Sequence, residues 1–174
     1  MSRLILQLDA RLVAAVKLIP APARPLMEFA TLVGQPLTTS TLLGGLGLMY
    51  ALSQMSAQAW ACGAAIGAIV LTNILKLLFR RTRPDTYVPF IFHSYSFPSG
   101  HAAASMIGFG LTAWLTMLQL ALPWSAILAV VLVGLIMLVG ISRVHLGAHY
   151  PTDVLGGWGV GLAILFIIIT VFRL

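Results

Sequence analysis

Predominantly apolar stretches alternate with polar connections along most of the chain. The apolar stretches run from about 30 to 53, 57 to 79, 101 to 120, 124 to 141 and 152 to 172. Each is close to the roughly 20 helical residues that cross the hydrocarbon core of a bilayer. The pattern therefore predicts an all-α fold, a polytopic transmembrane helix bundle with five spans.

The N-terminal segment, residues 1 to 25, has a different pattern. On a helix at about 100° per residue, apolar side chains such as Leu4 and Leu8 share one arc, and Arg3 lies on the other side. This favours an amphipathic interfacial helix over residues 4 to 19, ended by the Pro-rich turn; six spans would follow if this helix crossed the membrane. Charged residues interrupt the apolar core that a signal peptide requires, so we interpret the segment as part of the mature protein.

The connections between the predicted spans differ in length and sort onto two membrane faces. Short turns join the first span to the second and the third to the fourth, whereas the longer polar segments 80 to 100 and 142 to 151 fall on the opposite face. That face holds almost every charge. We therefore treat residues 1 to 174 as one membrane-embedded domain with its chemistry at one end.

Composition and charge narrow the class of protein. The chain is 60% hydrophobic and 8% charged, against about 25% charged residues in a typical soluble domain, so we expect an integral membrane protein. Much of the net charge of +6 lies in Lys76 and the run from 80 to 83, without the interleaved aromatic residues of single-strand binders. An anionic membrane lipid is the expected partner, and nucleic acid is not. The single cysteine excludes a disulfide framework and a cysteine-based metal site.

Three motifs lie on the polar face: "KLLFRRTRP" from 76 to 84, "PSGH" from 98 to 101, and "SRVHLGAHYPTD" from 142 to 153. A phosphoryl group in transfer spreads negative charge over three equatorial oxygens, so its catalyst consists mostly of fixed positive charge and aimed donors. Arg83 and Arg143 offer planar forks that match phosphate oxygens, while Lys76 supplies a point charge.

The "PSGH" motif adds backbone donors to these charges. Ser99 and Gly100 precede the third span, where free N–H groups and the helix dipole favour an anion. Gly100 has no Cβ, so an oxygen can approach the backbone closely there. The three motifs together predict a phosphate cradle.

Set side by side, the motifs read K-x6-RP, PSGH and SR-x5-H-x3-D. In this they resemble the type 2 phosphatidic acid phosphatase (PAP2) superfamily, which also includes bacterial non-specific acid phosphatases and vanadium haloperoxidases. The compact five-span layout is similar to the membrane-integral bacterial lipid phosphate phosphatases of that superfamily. The motifs themselves cover residues 76 to 153, and the span layout extends the similarity to most of the rest.

The resemblance implies a role for each motif residue. His149 would attack phosphorus through one ring nitrogen to give a phosphohistidine, and Asp153 would accept a hydrogen bond from the other nitrogen. His101 would protonate the departing oxygen and later activate water. No metal or cofactor is expected. The remaining motif residues would bind the phosphate: Lys76, Arg83, Ser99, Gly100 and Arg143.

The implied function is a metal-independent integral membrane hydrolase acting on a lipid phosphomonoester or diphosphate. Candidate substrates are phosphatidic acid, phosphatidylglycerophosphate, undecaprenyl diphosphate and a lipid A phosphate, and the sequence does not choose among them. The resemblance also implies a bacterial inner membrane with the active site facing the periplasm or outside. Counting Lys and Arg would place the charged face in the cytoplasm, but those charges are already assigned to catalysis. The sequence does not set the oligomeric state.

Other functions stay open at this point. A phosphotransferase would use the same phosphohistidine but deliver the group to a second lipid. A haloperoxidase would need vanadate bound in the cradle, which suits so compact a membrane chain less well. A lipid-binding or transport module would explain Arg83 and Arg143, but it gives His149 and Asp153 no reason to lie together.

Some polar residues have simpler interpretations. Arg80 and Arg81 match no motif position, and we interpret them as a positive belt that sets topology. His145, His149 and Asp153 are four residues apart and would line one helix face as metal ligands, but a continuous helix there would drive the ring of Pro151 into a backbone carbonyl. We therefore interpret His145 as a supporting or packing group. His93, in the polar loop, is assigned no role beyond headgroup contact.

Overall fold

The computed structural model describes residues 3–84 and 95–174, and within these ranges every regular element is helical. Helices α4 to α7 are long and apolar enough to cross a membrane. The predicted all-α transmembrane bundle is confirmed. A short 3-10 turn, Ala21–Ala23, precedes α2, and the α-helices are α1 (Arg3–Val16), α2 (Arg24–Val33), α3 (Pro36–Leu52), α4 (Ser56–Phe79), α5 (Gly100–Gln119), α6 (Trp124–His145) and α7 (Pro151–Phe172).

The first predicted span, 30 to 53, consists of two helices rather than one. α2 ends at Val33, Gln35 is extended, and Pro36 opens α3. Proline has no N–H to donate and its fixed φ suits the first helical position, so a new helix starts there. α3 has 17 residues, the lower limit of the roughly 17 to 25 that span a bilayer. The count of five spans therefore stays a prediction.

Helix α5 lies at the centre of the bundle. Of its 20 residues, 12 are buried, and it packs against α3, α4, α6 and α7. Small residues on both α5 and α7 allow this close approach. A Cβ placed on Gly157 of α7 would lie 2.5 Å from the carbonyl oxygen of Ser99, and one on Gly161 would lie 2.7 Å from Cβ of Met106. The glycine-rich start of α7 therefore packs closely against α5, with Gly157 against the PSGH turn.

Large apolar side chains cover the outer faces of the spanning helices. Trp60, Leu78, Val130 and Phe166 each remain at least 70% exposed. A surface this apolar would drive association in water, whereas in a bilayer it contacts hydrocarbon. The chain is an integral membrane protein.

The two long connections meet at one end of the bundle, as predicted. The N–H of Ser99 donates to the carbonyl oxygen of Asp153 at 2.9 Å, which joins the second motif to the third. α6 continues to His145, so the following connection is 146–150 rather than the predicted 142 to 151. Arg143 consequently lies in the last turn of a helix. α1 packs against α6 and α7.

Candidate active site

Lys76 and Gly100 approach each other at the mouth of the bundle. Lys76 is half-buried in the last turn of α4. A Cβ placed on Gly100 would lie 3.0 Å from Nζ of Lys76 and 2.8 Å from Oδ1 of Asn73. The ammonium group therefore lies against the start of α5, and glycine is the residue that leaves room between them.

Ser99 caps α5 and ties it to α7. Its hydroxyl oxygen accepts from the N–H of Ala102 at 3.5 Å, and its own N–H donates to the carbonyl of Asp153. The side chain is fully buried. The PSGH turn is thus held between the site and α7, and the positive end of α5 points toward the same region.

The connection 146–150 wraps around the end of α6 and places His149. The carbonyl oxygen of Arg143 accepts from the N–H groups of Ala148 at 3.0 Å and His149 at 3.2 Å. Gly147 has a φ of 72°, which other residues rarely adopt. Arg83 reaches the same loop, since its Nη1 donates to the carbonyl of Ala148 at 3.5 Å.

Arg143 is itself fixed from the side of α2. Arg143 is 3% exposed, and its guanidinium donates to Oγ1 of Thr31 at 3.3 Å. A buried guanidinium held at the end of a spanning helix supplies positive charge where the dielectric is low. It therefore suits an anionic ligand better than a surface arginine would.

His149 and Asp153 face each other in a buried position. His149 is 2% exposed, and its Nδ1 lies 3.7 Å from Oδ2 of Asp153. This is longer than a hydrogen bond, but catalytic hydrogen bonds often shorten only when substrate is bound. The same Oδ2 accepts from the N–H of Tyr150 at 2.9 Å, as expected for an acid in the first turn of a helix opened by Pro151.

The electrostatic environment keeps His149 neutral. Burial lowers its pKa from 6.5 to about 4; the Asp153 carboxylate opposes this shift, and the charges of Arg143 and Arg83 add to it. A neutral imidazole retains the lone pair that a nucleophile needs. His101, in the first turn of α5, lies within electrostatic range of His149 and of the three cationic side chains, Lys76, Arg83 and Arg143.

The metal-site alternative loses the continuous helix on which it depended. His145 ends α6 and the non-helical connection follows, so His145, His149 and Asp153 do not share one helix face. Across residues 3–84 and 95–174, no three His, Cys, Asp or Glu side chains lie together as metal ligands would. His145 is half-buried at the end of α6, and His93 lies outside the described residues.

Arg81 is the residue that sequence reasoning missed. Its Nη1 lies 2.6 Å from Oδ1 of Asp153, and its Nη2 lies 2.7 Å from Oδ2 of Asp9. The interpretation of Arg81 as part of a topology belt is therefore wrong, because it forms buried ion pairs; Arg80 is exposed, as a belt residue would be. One signal was present: Asp9 lies at the edge of the apolar arc of α1, where a carboxylate needs a partner.

The family follows from a match over most of the chain. Residues 57–174 match the model of the PAP2 superfamily. The chain belongs to this superfamily. The three motifs of the site lie within the matched region, so the PAP2 assignment and the site geometry concern the same residues.

Curated relatives resemble this PAP2 chain in sequence, and a solved structure resembles it in fold. It is 38% identical over 102 residues to phosphatidylglycerophosphatase B of Bacillus subtilis, covering 57% of this chain and 50% of the relative. It is 34% identical over 106 residues to an undecaprenyl-diphosphatase of Sulfolobus acidocaldarius, covering 58% and 48%. The chain thus spans about half the length of these curated relatives. The crystal structure of a transmembrane PAP2 type phosphatidylglycerolphosphate phosphatase from Bacillus subtilis superposes with a TM-score of 0.84 at 26% identity, covering 99% of this chain and 88% of that one.

Proposed function

We propose that this PAP2 protein is a membrane lipid phosphatase that hydrolyses a lipid phosphomonoester or diphosphate through a phosphohistidine. One observation carries the proposal: a buried His149, held neutral and facing Asp153, lies at the end of a transmembrane bundle where fixed cationic groups converge. That arrangement offers positive charge to an anionic substrate and a neutral histidine to attack it, at the end of a bundle that lies in the membrane.

The first step forms the bond between enzyme and phosphorus. Nδ1 of His149 faces Asp153, which leaves the lone pair of Nε2 to attack phosphorus. The bond from phosphorus to the lipid oxygen breaks, and its electron pair goes to that oxygen, which takes a proton from His101. The cradle residues Lys76, Arg83 and Arg143 stabilise the charge on the equatorial oxygens.

The second step returns the enzyme to its starting state. A water molecule attacks phosphorus, its proton goes to His101, and the N–P bond breaks with its electron pair returning to Nε2. Inorganic phosphate leaves. Each residue ends in the protonation state in which it began, so no metal or redox cofactor is needed to balance the reaction.

Membrane lipids are the substrates that suit the chain. The site lies at the end of apolar helices, so binding energy from a hydrocarbon tail is available to a lipid and absent for a soluble phosphoester. Relatives named for phosphatidylglycerophosphate and undecaprenyl diphosphate support these two head groups. We place phosphatidylglycerophosphate first, because the similarity in sequence and in fold coincides there.

Trapping the intermediate tests this proposal directly. Brief reaction with a lipid carrying ³²P in its terminal phosphate should leave an acid-labile, base-stable label on the wild-type protein and none on His149→Ala. His145→Ala is the matched control, since it removes a histidine from the end of the neighbouring helix and should keep the label. Label that persists in His149→Ala would overturn the nucleophile. Label passed to a second lipid instead of water would identify a transferase.

We also propose that the site faces the periplasm or outside of a bacterial inner membrane. In a Cys62→Ala background, a cysteine at Thr82 reports on the site end and one at Ala121 on the opposite end, and both positions are exposed. A membrane-impermeant thiol reagent should label Thr82→Cys in intact cells and Ala121→Cys only after permeabilisation. The reverse pattern would place the site in the cytoplasm.

A further inference from the structure

A chain of charged side chains lies directly behind Asp153. Arg81 donates from Nη1 to Oδ1 of Asp153 at 2.6 Å and from Nη2 to Oδ2 of Asp9 at 2.7 Å. The side chains of Arg81, Asp9 and Asp153 are only 13%, 5% and 0% exposed. One guanidinium therefore joins a carboxylate of α1 to a carboxylate of α7, and ion pairs so shielded from solvent are screened little by salt.

Two neighbouring residues hold these three linked side chains in a single geometry. Thr152 donates from its N–H to Oδ1 of Asp9 and from its hydroxyl to Oδ2 of Asp9, each at 2.9 Å, and its hydroxyl accepts from Nη1 of Arg81 at 2.8 Å. The guanidinium of Arg81 also lies 4.2 Å from the ring centre of Tyr150. Both neighbours flank the start of α7, so the contacts fix the part of the helix that carries Asp153.

Asp9 is the point at which α1 docks onto the site. It is the one buried residue of α1, whose other side chains are exposed or half-buried. An amphipathic helix on a membrane surface usually buries apolar side chains against the lipid and keeps its acids in water. Here the acid is turned toward the protein, onto the residues next to the proposed catalytic histidine.

The balance of charge gives this contact a consequence for the reaction. Two carboxylates and one guanidinium leave the cluster with one net negative charge. Without Asp9, the charge of Arg81 would be matched by Asp153 alone, and His149 would face a neutral pair. The imidazole becomes cationic when it bonds to phosphorus, and a buried cation needs a compensating charge. When Asp9 balances the charge of Arg81, the negative charge of Asp153 remains to compensate the cationic imidazole.

We propose that Asp9 and Arg81 are positioning residues for phosphoryl transfer: through the carboxylate–guanidinium–carboxylate chain they orient Asp153 toward His149 and make the docked helix α1 part of the active site. This inference rests on the proposed function. Neither residue contacts the phosphate in this account, so both act through Asp153.

Charge removal at Asp9 with a matched control provides the test. Asp9→Asn preserves the size of the side chain and should lower kcat for lipid phosphate roughly 10- to 100-fold, as loss of a supporting partner does elsewhere, with little change in KM. Glu28→Gln removes a carboxylate from the nearby helix α2, where it pairs with Arg24 in an exposed position at 2.9 Å. It should leave kcat unchanged.

A double variant separates positioning from simple docking. If Asp9 acts by offsetting Arg81, then Arg81→Gln should restore part of the kcat lost in Asp9→Asn, because Asp153 recovers its free charge. Loss of kcat in the double variant equal to the product of the two single losses would overturn the proposal. So would an Asp9→Asn protein indistinguishable from Glu28→Gln.

Two further measurements separate a failure of this inference from misfolding of the variant and from a failure of the proposed function. Should Asp9→Asn not fold, as judged by its melting temperature in detergent, Arg81→Lys serves instead; it keeps the charge but lacks the fork that holds two carboxylates, so kcat should fall. An unchanged kcat in Arg81→Lys would refute the positioning role. Wild-type protein without turnover would remove the proposed function and this inference together, whereas wild-type turnover that is lost in His149→Ala leaves Asp9→Asn to decide the inference alone.

Discussion

The same helices form both ends of the bundle, but the polar groups at the two ends are very different. At one end, short connections at 53–55 and 120–123 join the helices, and a part-buried polar contact there is neutral, from Gln119 to the hydroxyl of Tyr50 at 2.9 Å. At the other end, buried arginine and aspartate side chains and His149 converge over connections from three motifs. Short neutral turns connect the helices at the first end, so the connections alone do not require the charges at the other end, where we propose the active site.

The largest difference between the ends should appear at His101. His101→Ala should lower kcat for a lipid phosphomonoester by roughly 10²- to 10⁴-fold, because the leaving alkoxide then lacks its proton donor. The loss should be smaller for p-nitrophenyl phosphate, whose leaving group needs less protonation. Steady-state rates on both substrates check this, and equal losses would remove the general-acid assignment.

A methyl group added at Gly100 should affect the site, whereas one added at a glycine elsewhere in the bundle should not. Gly100→Ala places a methyl group against Nζ of Lys76 and Oδ1 of Asn73, so kcat/KM should fall roughly 10- to 100-fold as the cradle shifts. Gly45→Ala in α3, where a Cβ meets nothing within 4 Å, is the matched control and should not change kcat/KM. Equal rates for the two variants would mean that the start of α5 does not bind phosphate.

The pH dependence sharpens the contrast between a buried and an ordinary histidine. Because the pKa of His149 is lowered to about 4, the neutral nucleophile persists well below pH 6.5 and is lost only as the pH falls toward 4. In a His101→Ala background, which removes the proposed general acid, kcat/KM for p-nitrophenyl phosphate corrected for ionisation of the substrate should change little between pH 7 and pH 5, whereas an unshifted histidine would lose about 25-fold. A corrected acid limb near 6.5 would contradict the desolvated site.

The smallest effect is expected at the neutral end. Gln119→Leu removes the hydrogen bond to Tyr50 and should cost about 1 kcal/mol of unfolding free energy, with kcat/KM unchanged. Thermal unfolding and phosphate release by the same preparation measure both quantities. A fall in kcat/KM while the protein remains folded would show that the two ends are coupled.

The motif residues were predictable because each combines a required chemical type with a fixed spacing. The sequence predicted that the three motifs meet on one face, and the structure brings them to one end of the bundle. The catalytic roles of Lys76, Gly100 and His149 stay predictions. The pairing of Arg81 with Asp9 could not be predicted, because it joins residues 72 positions apart whose contact depends on how α1 docks.

The predicted helix boundaries were wrong where they depend on the backbone preferences of single residues, which average hydropathy does not contain. Pro36 divides the first predicted span although its neighbours are apolar. The polar residues from Ser142 to His145 continue α6, because nothing stops that helix before Gly147 adopts its positive φ of 72°. Polarity therefore predicted correctly that these residues lie at the charged end of the bundle, but it gave their secondary structure incorrectly.

Inorganic phosphate release by purified protein in detergent micelles is the decisive measurement for a lipid phosphatase. The panel is phosphatidylglycerophosphate, phosphatidic acid, undecaprenyl diphosphate and a lipid A phosphate, each with excess EDTA and beside His149→Ala. We expect release that survives EDTA, is fastest with phosphatidylglycerophosphate, and falls by several orders of magnitude in the variant. Release that EDTA abolishes, or that His149→Ala retains, would contradict a metal-independent histidine phosphatase.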